Sequence, residues 1–210
     1  MLSILQAAGW PIVPLLLCSV VALALIIERA LSLRTARVAP PRLVDEVISV
    51  TRANLPSQDT ITKLSENSTL GTVLAHGLQA ATDPRPSEEH LRGALEAAGR
   101  QALYQLERNL NALGTIAAAA PLLGLLGTVI GMIEIFGASG ASGTGGANPQ
   151  DLAHGISVAL YNTAFGLIVA IPSLIAYRHF RGRVDGFALQ MELAADRLAS
   201  HLIRLNAPRR

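Results

Sequence analysis

Apolar positions along this chain gather into three runs, 10–27, 111–136 and 156–177, while the segments between and after them carry apolar residues only at helical spacing. The second and third runs each exceed the ~20 apolar residues that an α-helix needs to cross the hydrocarbon core of a bilayer, so each predicts a spanning helix. They are joined by GASGASGTGGA (137–147), flexible by composition, so the pair predicts a membrane hairpin. Both helices carry small and hydroxylated residues at helical intervals: Gly124, Thr128 and Gly131 in one, Ala159, Thr163, Gly166 and Ala170 in the other. Such stripes let helices approach closely, and Leu in place of Gly127 or Gly131 is expected to wedge them apart. The first run is followed, not preceded, by charge (Glu28, Arg29, Arg34, Arg37), which predicts an uncleaved helix rather than a cleaved leader. Trp10 suits a headgroup interface, and Pro11 and Pro14 sit at the helix start, where a missing N–H costs little.

Between the first two runs the pattern changes to amphipathic. Leu43, Val44, Val47, Ile48 and Thr51 predict one helix after Pro40 and Pro41, 70–81 predicts another, and 54–68 reads as a polar loop with room for a short helix. Pro84 and Pro86 mark a break, after which Ser87 is placed to cap a helix with Glu88 and Glu89 in its first turn. Glu88, Arg92, Glu96 and Arg100 then recur at i, i+4, while Leu91, Leu95, Ala98, Ala102, Leu106, Leu110 and Leu113 mark the opposite face. This helix is expected to run unbroken into the second span, roughly 70 Å at ~1.5 Å per residue. Asn148 and Pro149 predict the restart of helix before the third span. Beyond it, Val184, Ala188, Met191, Ala195, Leu198, Leu202 and Leu205 form a heptad seam whose expected partner is the 91–113 stripe, in the same or a neighbouring subunit.

Composition agrees with a membrane protein: half of the residues are apolar and 15% charged, with a mean hydropathy of +0.40. The sequence pI of about 9.1 would suit a nucleic-acid partner, but Lys and Arg are absent from 1–27 and 111–177, an asymmetry that reports topology instead. It predicts an N-terminus outside, a cytoplasmic segment between the first and second spans, and a cytoplasmic tail. The expected divisions are 1–37 (outer segment and first span), 38–110 (cytoplasmic helical domain), 111–177 (hairpin) and 178–210 (tail helix). Cys18 is the single cysteine, and His76, His90, His154, His179 and His201 are scattered, so no disulfide, metal site, cofactor or enzyme is expected.

The run LLGLLGTVIGM (122–132), taken with HGISVALYNTAFGLIVAIPSLIAY (154–177), closely resembles the two pore helices of the MotA/TolQ/ExbB proton-channel family, and most of all its ExbB branch. The resemblance implies an all-α fold of three transmembrane helices in a multi-pass protein of the bacterial inner membrane. It implies a homopentamer around a central pore, threaded by a dimer of an ExbD-like single-span protein whose Asp is protonated and deprotonated in turn. The output would drive a TonB-like protein and so energise outer-membrane uptake. A TolQ-like role in the envelope is the alternative within the family, and a non-conducting membrane scaffold the alternative outside it.

On the resemblance, Thr128 and Thr163 fall where the family places pore threonines. A hydroxyl donates to a carboxylate and accepts from a carboxylic acid, so it serves both states of a neighbouring Asp; the alternative is that each Thr bonds back to its own helix. Asn162 either lines the pore or joins helices. Glu134, six residues beyond Thr128, either snorkels to the headgroups or attracts cations at the pore mouth, and His154 is a weak candidate for sensing pH. Gly124, Gly127, Gly131 and Gly166 are the expected packing positions. Val158 stands where many relatives carry Glu, so this chain lacks that intramembrane carboxyl and the acid must come from the partner.

Overall fold

The structure, a computed structural model, describes residues 10–52, 55–83, 87–141 and 149–206. Among them it is all helix: α1 (Ile12–Ser32), α2 (Thr35–Val38), α3 (Leu43–Thr51), α4 (Gln58–Asn67), α5 (Thr69–Ala81), α6 (Glu88–Glu107), α7 (Leu110–Ala141) and α8 (Pro149–Asn206). Three stretches are long and apolar enough to cross a membrane, Ile12–Ser32, Glu88–Gly137 and Gly155–Leu205. The chain packs as two compact units: Met1–Glu28 with Asn109–His179, and Arg29–Arg108 with Phe180–Arg210.

In the first unit, α1 lays Ile12, Leu15 and Ala22 inward, while Leu17, Val20 and Leu23 on its other faces remain exposed. Leu15 meets Ala120 of α7 and Ala170 of α8, with Leu123, Phe165 and Val169 around them. Two prolines, Pro121 and Pro172, sit inside α7 and α8 without ending them. Each removes one backbone donor, a loss that packed membrane helices tolerate where neighbouring groups re-satisfy the freed carbonyl. Buried Ser173 spends its hydroxyl on its own helix, donating to the Val169 carbonyl at 2.7 Å. Glu28 accepts a hydrogen bond from Asn109 Nδ2 at 3.1 Å.

The second unit is built like a small soluble helical domain. Ser68 and Ser87 cap α5 and α6, accepting from the Gly71 and His90 amides at 3.0 Å each, which stabilises each helix by about 1 kcal/mol. Leu91, Leu95, Ala98, Ala102 and Leu106 of α6 are buried along one stripe. On the solvent face the Glu88–Arg92 and Glu96–Arg100 pairs form as their spacing predicts, each contributing only about 0.3–0.5 kcal/mol. Gly77 of α5 is required by close approach: a Cβ there would lie 2.5 Å from Leu95 Cδ2. The C-terminal half of α8 buries Val184, Phe187, Met191, Ala194, Leu198 and Leu202. It is tied to α6 of the same chain by Arg92–Asp196 at 3.4 Å and Arg181–Glu107 at 2.9 Å, and to α3 by Arg197–Asp45.

Three expectations are corrected. The helix from 88 onward is interrupted at Arg108 and Asn109, although Arg108 keeps helical angles (φ −45°, ψ −47°). The Leu106 carbonyl, one of the last four acceptors of α6, is met there by Arg29 Nη1 at 3.0 Å, from a guanidinium only 5% exposed. The expected connector is helical through Ala141, because extending an existing helix fixes one residue per added bond and needs no new nucleus. Its remainder, 142–148 with the expected Asn148 cap, lies outside the described residues, as do Pro84 and Pro86. The short helix expected within the polar segment 54–68 is α4. The seam on α8 ends early, with Leu205 46% exposed, and Phe187 and Ala194 are buried along with it.

Arg29 was legible only as a charge ending an apolar run, yet it is buried against a backbone acceptor 77 residues away. Arg29→Met is expected to leave the Leu106 carbonyl short of its donor and to destabilise the fold by about 1–3 kcal/mol. The loss should register as a lower unfolding temperature of the detergent-solubilised protein, and Arg29→Lys should restore part of it.

Candidate functional site

The candidate residues converge on the seam between α7 and the first half of α8. A Cβ on Gly124 would lie 2.8 Å from the Asn162 carbonyl oxygen and 3.1 Å from Thr163 Cα, and one on Gly166 would lie 2.7 Å from the Ala120 carbonyl oxygen. These are backbone-to-backbone approaches that no side chain fits. A Cβ on Gly127 would meet the Asn162 side chain at 2.8–3.0 Å, and Asn162 itself is 1% exposed. Gly131 is different: its Cβ would stand 3.7 Å from Ala159 Cβ, an ordinary contact. The pairings 120 with 166, 124 with 163, 127 with 162 and 131 with 159 show that the helices run antiparallel.

This register places the two threonines. Each follows a packing residue by one position, Thr128 after Gly127 and Thr163 after Asn162, which turns it about 100° from that residue and onto the flank of the seam. In an antiparallel pair the same rotation carries both side chains to the same flank. By the register, Thr163 stands about one helical turn from the level of Thr128. Both are half-buried. Thr128 Oγ1 donates to the Leu125 carbonyl of its own helix at 2.6 Å, so the back-bonding alternative describes its proton while its lone pairs remain available to an outside donor. Thr128 opens onto a shallow apolar hollow of about 540 Å³ with Val129, Met132, Ile133 and Phe136; Thr163 does not line it.

Glu134 is exposed on α7 and does not line that hollow. His154 and Val158 lie on α8, but their side chains fall outside the described residues. Among the described residues no group of three or more His, Cys, Asp or Glu is placed to hold a metal ion. Sequence reasoning did not find Tyr177, whose ring lies 3.1 Å from where a Gly114 Cβ would stand and so closes the other end of the seam. Gly at 114 was the available signal.

Residues 65–193 match the model of the MotA/TolQ/ExbB proton channel family. The chain is 38% identical over 84% of its length to the ExbB-like 3 biopolymer transport protein of Synechocystis sp., covering 82% of that protein. It is 32% identical over 80% of its length to the biopolymer transport protein exbB1 of Vibrio cholerae, covering 74% of it. A Tol-Pal system protein TolQ of Pseudomonas aeruginosa is 34% identical over 51% of the chain and 46% of its own length.

The packing geometry ranks the glycines. Gly127→Leu is expected to displace Asn162 and cost roughly 1–3 kcal/mol, whereas Gly131→Ala should be close to neutral. Thermal unfolding of the two purified variants in the same detergent checks the order; equal unfolding temperatures would contradict it.

Proposed function

The chain belongs to the MotA/TolQ/ExbB proton channel family, a membrane transport family and not an enzyme family, and from that premise we propose that it is the pore subunit of a proton-driven motor. In this reading five copies surround a central pore in the bacterial inner membrane, with the termini arranged as the Lys and Arg distribution predicts. A dimer of an ExbD-like single-span protein occupies the pore, and a TonB-like protein carries the work to outer-membrane uptake. The observation that carries the reading is the placement of Thr128 and Thr163 on one flank of a hairpin whose own packing face is closed by glycine.

The chemistry follows from the hydroxyls. With its proton on the Leu125 carbonyl, Thr128 offers lone pairs to a protonated carboxylic acid on the partner. When that acid loses its proton, Thr128 must give up a bond worth about 1 kcal/mol and rotate to donate. Each protonation state of the acid thus selects a hydroxyl orientation, and the acid itself comes from outside, since Val158 supplies none. Glu134, on the exposed face beyond Thr128, is suited to raise the local cation concentration at a pore mouth.

Likeness to the TolQ of Pseudomonas aeruginosa supports a second reading, in which the same motor serves an envelope Tol-Pal system. The ExbB-named relatives, matched over more of the chain, favour uptake. A non-conducting scaffold is the reading from another class.

Thr128→Val together with Thr163→Val keeps shape and removes both hydroxyls. The double variant is expected to assemble with its partner at wild-type stoichiometry, as counted by native mass spectrometry, and to lose gradient-driven uptake by roughly 10- to 100-fold. Full uptake by the assembled variant would make the chain a scaffold.

A further inference from the structure

Between the end of α3 and the last turns of α8, within the second unit, lies a groove of about 400 Å³ lined by Arg52, Asp196, Arg197, Ser200, His201 and Arg204. Three guanidiniums face one carboxylate there. Arg197 is already held by Asp45, and Asp196 is shared with Arg92 at 3.4 Å. Among the described residues no carboxylate pairs with Arg52 or with Arg204, whose Nε donates to the Ser200 carbonyl at 3.1 Å and so lays the guanidinium along the helix. Burial, then Arg52, then Arg204 hold the His201 imidazole below the ordinary histidine pKa, so two cations, one just past the end of α3 and one on α8, converge on one ring. Like charges brought together in this way repel unless an anion sits between them.

We propose that this groove binds a phosphate group, gripped by the Arg52 and Arg204 guanidiniums with the Ser200 hydroxyl at its edge. The planar fork of arginine matches phosphate oxygens bidentately, so the two guanidiniums can grip one phosphate from two sides. The group is carried by a soluble phosphate species: α8 runs on for about 35 Å between Arg178 and His201, beyond the reach of headgroups of the membrane it crosses. None of these residues belongs to the membrane hairpin, so the site stands or falls independently of the pore reading.

The test uses the full chain and reads His201 by NMR with labelled histidine. The charged groups facing that ring are Arg52, just past the end of α3, and Asp196, Arg197 and Arg204 from its own helix. In detergent, exchanging chloride for inorganic phosphate at equal ionic strength is expected to raise the His201 pKa by roughly half a unit or more, because the bound anion offsets the two guanidiniums. In nanodiscs kept in phosphate-free buffer, phosphatidylglycerol and phosphatidylcholine are both expected to leave the titration where chloride leaves it; a rise on phosphatidylglycerol overturns the assignment to a soluble phosphate. In R52Q/R204Q the pKa should already be higher in chloride and should no longer respond. A wild-type titration that is the same under all four conditions overturns the proposal, as does an undiminished phosphate response in the double variant.

Discussion

Two membrane helices can hold together in lipid only by touching closely, since the surrounding hydrocarbon is as apolar as their own side chains and gives no hydrophobic drive. The approach of α7 to α8 at Gly124, Gly127 and Gly166 is therefore the constraint from which the first unit follows. With backbone against backbone there, the register of the two helices is fixed to within a residue. That register determines which side chains are enclosed, which stand on the flank and which face outward. Asn162 is enclosed, Thr128 and Thr163 stand on the flank, and Leu125, Val129, Ile133, Leu160 and Ile168 face out. The two hydroxyls owe their common side to the close approach at these glycines.

The second unit obeys a different solvent. Its helices are short, capped by serine and striped, and its interior is leucine, valine and alanine in the manner of water-soluble domains. Charge is spread over its surface in pairs such as Arg92–Glu88 and Arg181–Glu107, with the groove beside His201 as the place where cations are left in excess. One helix, α8, supplies residues to both units, apolar on all faces in its first half and amphipathic in its second. The change of pattern falls near Arg178, where the chain regains its basic residues.

What could be read in the sequence was whatever repeats. The α6 stripe, the Ser87 cap, the i, i+4 pairs and the three spans all rest on periodic or adjacent residues, and the structure has them. The close approach at Gly124 and Gly166 was legible as a stripe of small residues, but its register was not, because nothing local says which glycine opposes which. For the same reason Gly131 looked equivalent to Gly127 until Ala159, and not Asn162, was found across from it. No periodicity within 88–136 announces the interruption at Arg108 and Asn109, nor the arginine from position 29 that meets the Leu106 carbonyl beside it. Leu205 was misplaced because a strict heptad drifts from the true 3.6-residue turn over three repeats.

That remote arginine also has a history in time. Its carbonyl partner is made 77 residues after it, so at ribosomal rates of ~5–20 residues per second the guanidinium waits about 4–15 seconds for the acceptor that will enclose it. Throughout that interval a charge that no physiological pH removes must be solvated by water or by lipid phosphate. The nascent first helix is thereby denied any position that would draw residue 29 into the hydrocarbon before its mate emerges.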